Sequence, residues 1–113
     1  MVLRIYVSST DKLKHTLLSE SIVYLAKRYG LAGATVTKGI MGFGASSVIH
    51  SYKFWEVSDK VPVVIEIVDD ETKIISFFDT IKPYLENMRY GCLVTTEKVN
   101  VLLYKAGDKK NFD

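Results

Sequence analysis

Three glycines and two serines within nine residues carry the plainest chemical signal in this chain. The stretch Gly39-Ile40-Met41-Gly42-Phe43-Gly44-Ala45-Ser46-Ser47 is its only glycine-dense segment. Glycine tolerates positive φ, and its missing Cβ lets backbone approach a ligand closely. Successive N–H groups in such a turn can form a nest for an anion. The candidate anion donors are therefore the backbone N–H groups of Gly42, Phe43, Gly44 and Ala45, with the Ser46 and Ser47 hydroxyls beside them. Lys38 and Lys53 bring positive charge from either side, and His50 follows three residues after Ser47. The spacing G-x-x-G-x-G is not followed by Gly-Lys-Ser/Thr, and no helix clearly opens from it, so it matches neither common nucleotide fingerprint. On spacing alone, a hairpin loop that needs glycine for its turns explains the segment at least as well.

The other candidates are thinner. His15 stands beside the predicted start of a helix, a fair place for a donor to an anion. His15 and His50 share no element and have no carboxylate or thiol at ligand spacing, so no metal site is expected. Cys92, the single cysteine, is expected in the core, and no base beside it would make it a nucleophile. One cysteine also closes no internal disulfide, which fits a reducing compartment. Asp69, Asp70 and Glu71 suit the N-terminus of a helix. Glu66 interrupts an apolar strand, and burying its carboxylate unpaired would be costly. It must face solvent, a neighbouring subunit or a ligand, with Glu97-Lys98 as the expected cross-strand partner. No Ser/His/Asp or paired-carboxylate arrangement emerges, so catalysis is not expected. Met41-Gly42-Phe43-Gly44-Ala45 touches the RNA-recognition signature but departs from it twice. Met41 replaces the leading basic residue and Ala45 the second stacking aromatic. The segment also follows the second strand instead of lying on the third, so nucleic acid is not an expected partner.

The elements that must hold this loop are legible from two periodicities. Residues 2–7 read as a strand, bounded by Ser8-Ser9-Thr10-Asp11. From Thr16 onward Leu18, Ile22, Leu25, Ala26 and Tyr29 fall three and four apart, one face of a helix that Gly30 should cap in the left-handed conformation. Residues 34–38 predict a second strand, 48–57 an extended return, and 63–68 a strong strand opened by Pro62. Ile74, Phe77, Phe78, Ile81, Leu85 and Met88 trace a second helical face starting from Asp69 or Asp70. Pro83 should kink or break that helix near Thr80. Residues 92–104 read as a last extended stretch, and 105–113 as a polar tail. The order predicts an α+β, ferredoxin-like βαββαβ sandwich: one domain over residues 1–113, an antiparallel sheet with two helices on one face, and a flexible loop over 39–55. Its other sheet face and its edges would be bare, which is a reason to oligomerise.

Composition narrows the classes further. The 113 residues are 48% hydrophobic and 25% charged, an ordinary globular mix, and a net charge of +2 does not argue for nucleic acid. Charge is uneven, however: residues 1–55 carry seven Lys/Arg against two Asp/Glu, and residues 56–89 carry four against eight. MVLRIYVSST turns polar too soon for a signal peptide. The apolar run over 61–68 is broken by Pro62 and Glu66, and it falls short of the roughly 20 residues that span a bilayer. A cytoplasmic protein is expected.

Several strings carry a family resemblance. Leu31-Ala32-Gly33-Ala34-Thr35-Val36, the run from Lys38 through Gly39-Ile40-Met41-Gly42-Phe43-Gly44-Ala45-Ser46-Ser47, Ile49-His50, and Pro62-Val63-Val64-Ile65-Glu66-Ile67-Val68-Asp69 resemble the small bacterial and archaeal family called domain of unknown function one-ninety, part of the PII-like superfamily with its GlnB- and CutA-like members. The resemblance covers about residues 2–104. It implies a ferredoxin-like subunit forming a homotrimer, with an adenine nucleotide (ATP, ADP or AMP) in clefts between subunits and no required cofactor. It also implies a loop after the second strand that contacts a transporter or an enzyme; some relatives are associated with ion channels, including fluoride exporters. PII proteins hold phosphate with a second glycine-rich loop before the last strand. Here that place reads Met88-Arg89-Tyr90-Gly91-Cys92-Leu93, with one glycine and no following lysine. Residues 42–47 must then take more of the phosphate, with Arg89 and Lys38 supplying charge and His50 in support. The expectation is a signalling adaptor without catalysis. The alternatives are a ligand-independent partner of a membrane ion transporter, and a metal-tolerance protein of the CutA type, which the absence of a ligand cluster disfavours.

Overall fold

The computed structural model describes residues 1–43, 50–51 and 60–107. Its elements are β1 (Val2–Ser8), β2 (Lys12–Leu13), β3 (Thr16–Leu17), α1 (Leu18–Arg28), β4 (Thr35–Lys38), β5 (Met41–Gly42), β6 (His50–Ser51), β7 (Pro62–Val68), α2 (Glu71–Glu86) and β8 (Leu93–Glu97).

Alternation along two central strands creates the core. Side chains of a strand point to opposite faces in turn, and Leu3, Ile5 and Val7 of β1 share one buried face with Val63, Ile65 and Ile67 of β7. The helices supply the other half of that core: Leu18, Ile22 and Ala26 from α1, and Ile74, Phe77, Ile81 and Leu85 from α2. Strand order is β4-β7-β1-β8, with every neighbouring pair antiparallel. Each helix therefore joins two strands that enclose a third, the ferredoxin-like arrangement with both helices on one face.

The end of α1 follows from Gly30, which sits at φ +79°. The Gly30 N–H donates to the Lys27 carbonyl at 3.1 Å and the Leu31 N–H to the Ala26 carbonyl at 3.1 Å, a Schellman closure that turns buried Leu31 back onto the helix. A Cβ at Gly30 would meet no neighbour within 4 Å, so only the backbone conformation penalises a side chain there. Gly30→Ala is expected to cost about 1 kcal/mol. A lower urea midpoint at constant m value would report it, and an unchanged midpoint would contradict the assignment.

The structure corrects several expectations. The helical period begins at Leu18, because Thr16 and Leu17 pair with Lys12 and Leu13 in a small hairpin with Lys14 in its turn at φ +59°. His15 lies exposed in that turn. Asp70 is the N-cap of α2 but its side chain makes no cap bond; Asp69 instead accepts from the Ala32 N–H at 2.8 Å and the Asp70 N–H at 2.7 Å. Helix α2 runs unbroken past Thr80 with Pro83 inside it. The proline costs about 3 kcal/mol, whereas keeping Ile81 and Leu85 buried is worth roughly 3–6 kcal/mol together. Within the 92–104 stretch only Leu93–Glu97 is strand, since Glu97 already lies opposite Val2 at the start of β1 and the ladder has no partner beyond it. Of the extended return over 48–57, His50–Ser51 is strand and residues 48–49 and 52–57 lie outside the described residues.

Candidate functional site

The connectivity sends several loops to one end of the sheet. β1 and β4 finish there and β7 starts there; α2 begins at the opposite end and carries the chain back, so residues after α2 meet those before β7. The Gly39 N–H donates to the Pro62 carbonyl at 2.7 Å, which fastens the foot of the glycine-rich segment to the start of β7. A Cβ on Gly39 would lie 2.9 Å from Pro62 Cγ, so glycine is required here by the close approach of the Pro62 ring. Val61 is held from the other side: its carbonyl accepts from the Ser9 N–H at 2.8 Å and its N–H donates to Ser9 Oγ at 3.0 Å. Lys60, just before it, is thereby placed.

Lys60 Nζ lies 4.8 Å from the centroid of the Tyr90 ring, and Arg89 Cζ lies 5.3 Å from the same ring. Cation–π contacts at exposed rings stabilise by about 0.5–1 kcal/mol each, enough to hold long side chains in place though not to neutralise them. Among the described residues ion pairs form only at Arg4, so neither Lys60 nor Arg89 has a carboxylate partner there. Asp11, a carboxylate at the same end, is buried and accepts from the Ser8 N–H at 2.8 Å.

The sequence-predicted residues distribute around this end. Lys38 is exposed on edge strand β4, opposite Val63. Gly42 pairs with His50 in the β5–β6 ladder, where a Cβ on Gly42 would lie 3.2 Å from Pro62 Cγ. Phe43 is exposed. Gly44, Ala45, Ser46 and Ser47 lie outside the described residues, as does Lys53. Arg89 is present on the Tyr90 ring. Lys60 and Tyr90 were not anticipated, although the β7–α2–β8 crossover was the signal that could have found them. Cys92 corrects the expectation of a core thiol: it is exposed, and partial desolvation followed by the charge of Asp11 pushes its thiol above the usual range, against nucleophilic use.

Glu66 faces outward as its sequence setting requires, but its partner differs from expectation. It lies on the open face of the sheet, where Arg4 Nε donates to Glu66 Oε2 at 2.9 Å and Arg4 Nη1 to Glu97 Oε1 at 2.8 Å. Arg4, not Lys98, is the cross-strand partner, and these hydrogen bonds, the Glu97 one foremost, raise its already high pKa.

At the far end of the sheet a cavity of about 740 Å³ is bounded by Ala34, Thr35, Val68, Asp69, Val101 and Tyr104 among others. Its charged rim is mainly acidic, with Glu66, Asp69, Asp70 and Glu71 set against Lys73 and the Met1 ammonium. Such a rim repels phosphate, whereas the Lys60–Tyr90–Arg89 end attracts it. Among the described residues no group of three His, Cys, Asp or Glu is placed to hold a metal, and no helix is long and apolar enough to cross a membrane.

Residues 1–101 match DUF190, described as Uncharacterized ACR. The chain belongs to the DUF190 family. A UPF0166 protein of Aquifex aeolicus is 34% identical over 101 residues, 89% of this chain and 91% of the relative. Another, of Methanocaldococcus jannaschii, is 33% identical over 96 residues, 85% and 86% of the two chains. Among solved structures, the nitrogen regulatory PII-like protein CPII of Thiomonas intermedia K12, bound to ADP, AMP and bicarbonate, is similar at TM-score 0.59 and 18% identity, covering 83% of this chain and 81% of CPII. CPII with ADP and bicarbonate is similar at TM-score 0.53 and 16% identity, covering 83% of each chain. The DUF190 chain thus has a PII-like fold.

Proposed function

We propose that this DUF190 chain is a PII-like regulator that binds an adenine nucleotide at the loop end of its sheet, in clefts between the subunits of a homotrimer, and acts on a transporter or enzyme through the glycine-rich loop, without catalysis of its own. The observation that carries the reading is the meeting, at one end, of the anchored foot of that loop with two cations that have no carboxylate among the described residues. The PII-like CPII, with ADP and AMP bound, supports the same ligand class. In this reading the N–H groups of Gly42, Phe43, Gly44 and Ala45 and the hydroxyls of Ser46 and Ser47 meet phosphate oxygens, with Lys38, His50 and Arg89 in support. Binding orders the loop, and the ordered loop favours one partner complex; its effect is bounded by the nucleotide's differential affinity for the ordered state.

Calorimetric titration of wild type and Gly44→Val with ATP, ADP and AMP tests this. Wild type is expected to bind at least one nucleotide, and Gly44→Val to bind it roughly tenfold more weakly, as for the loss of one good hydrogen-bonded contact. Equal heats from both proteins would remove the loop from the site, and absence of heat from wild type would overturn the nucleotide reading.

A further inference from the structure

Two hairpins leave the loop end of the sheet from adjacent points. Gly39, at the foot of the β5–β6 hairpin, donates its N–H to the Pro62 carbonyl at 2.7 Å. Ser9, just before the β2–β3 hairpin, donates to the carbonyl of the preceding residue, Val61, at 2.8 Å. The first hairpin is apolar and bare: Ile40 is 65% exposed, Met41 58% and Phe43 69%. Single exposed apolar side chains are ordinary, but three within four residues mark a contact surface. The second hairpin is basic, with Lys12, Lys14 and His15 all exposed. Asp11, the carboxylate beside it in the chain, is buried and accepts from the Ser8 N–H at 2.8 Å. Exposed Glu20 lies in the first turn of α1, where the helix dipole favours a negative charge. The cavity at the far end of the same sheet has a mainly acidic rim, so the field of the molecule turns the hairpin end toward a negative surface.

We propose that these two hairpins together form a docking surface for an anionic lipid bilayer. The side chains of Ile40, Met41 and Phe43 enter the boundary between headgroups and acyl chains. Lys12 and Lys14 lie against the headgroup phosphates, their aliphatic stems along the apolar layer. Neither set suffices alone: three apolar side chains give a weak anchor indifferent to lipid charge, and two lysines give an attraction that salt screens. A bilayer suits this surface better than a protein groove does, because the apolar side chains stand out from the surface and a bilayer requires no concavity shaped to them. The proposal goes beyond the nucleotide reading and needs no nucleotide.

The test is co-sedimentation of the full chain, without nucleotide, with vesicles of phosphatidylcholine alone or mixed with phosphatidylglycerol, at low and high salt. Wild type is expected to pellet with the mixed vesicles, to be released by high salt, and to stay in solution with phosphatidylcholine alone. Lys12→Gln with Lys14→Gln should weaken partitioning roughly twentyfold, about fivefold for each lysine at an anionic surface. Ile40→Ser with Met41→Ser should weaken it at least about tenfold through lost apolar burial. Tyr24→Ser, which removes a comparably exposed ring from α1, should leave it unchanged. All five positions are exposed, so unfolding midpoints should stay at the wild-type value and binding losses can be read as such. Wild type that ignores the mixed vesicles would overturn the lipid surface and leave a protein as the occupant of these hairpins. Binding unmoved by the Ile40 and Met41 pair, equal binding to neutral vesicles, or a loss with Tyr24→Ser as large as theirs would each overturn it as well.

Discussion

Phe77→Ala is expected to remove about 3–5 kcal/mol of folding stability. The ring is fully buried on α2, the helix that spans the sheet from its acidic end to its basic one. It stacks edge-on against Tyr29, centroids 5.5 Å apart, and the Tyr29 hydroxyl reaches Thr80 on the same helix. Truncation therefore loses transfer energy, opens a cavity and loosens the α1–α2 contact together. Domains of this size hold only about 5–15 kcal/mol in all, so the variant should be partly unfolded well before mild denaturing conditions are reached. Phe78→Ala, at the half-buried neighbouring position, is the comparison and should cost clearly less. Urea unfolding followed by circular dichroism checks both, and similar midpoints for the two variants would refute the assigned core. Because α2 delivers Arg89 and Tyr90 to the loop end, its stability is also a condition of the site.

Phe77 was foreseeable: Ile74, Phe77, Ile81 and Leu85 repeat at helical spacing, and no other element could bury that stripe. The same holds for Leu18, Ile22 and Ala26, for Gly30 as a left-handed cap, and for the strands built on Leu3, Ile5, Ile65 and Ile67. These features depend on local period and backbone chemistry. Where nonlocal pairing decides, the sequence was less informative. Arg4 could not be read as the partner of Glu66 and Glu97 without the β7-β1-β8 order, which places three residues spread over the chain side by side. Pro83 looked like a break because local propensity was weighed without the burial of Ile81 and Leu85 that outweighs it. Cys92 looked like core because a free thiol usually packs as a small hydrophobe, yet it lies in an exposed connection between α2 and β8.

The candidate site divides in the same way. Gly39 and Gly42 were visible as glycines, and Pro62 as the opening of a strand, but their mutual contact is a tertiary fact. Lys60 and Tyr90 have no motif of their own. Only the crossover, which returns α2 to the end where β7 starts, makes them neighbours, and that ring-centred pair stands where the resemblance led one to look for a second glycine-rich loop and found a single glycine. Charge then separates the two ends of one sheet: basic where the loops meet, mainly acidic around the far cavity.

Arg4→Glu is expected to convert the proposed trimer into monomers. The open sheet face carries Arg4 between Glu66 and Glu97, with Tyr6 and Leu93 exposed beside them. With Arg4 in place these three groups sum to one negative charge; with glutamate they sum to three, repeated on every copy brought to the same interface. Burying unpaired charge is far more costly than exposing it, so the face should stay in water and the subunits apart. Light scattering on the eluting protein should give three times 12.8 kDa for wild type and the single mass for the variant. Arg4→Gln, which removes the cation and adds no anion, should shift the equilibrium less, and Tyr24→Glu, on an exposed position of α1, should leave the mass unchanged. An Arg4→Glu protein that remains trimeric would show that this face is not the interface, and a monomeric wild type would refute the trimer itself. Since the proposed nucleotide cleft exists only where subunits meet, the monomeric variant should also lose nucleotide affinity while Lys60, Tyr90 and Arg89 remain intact, and that joint loss is what ties assembly to ligand binding.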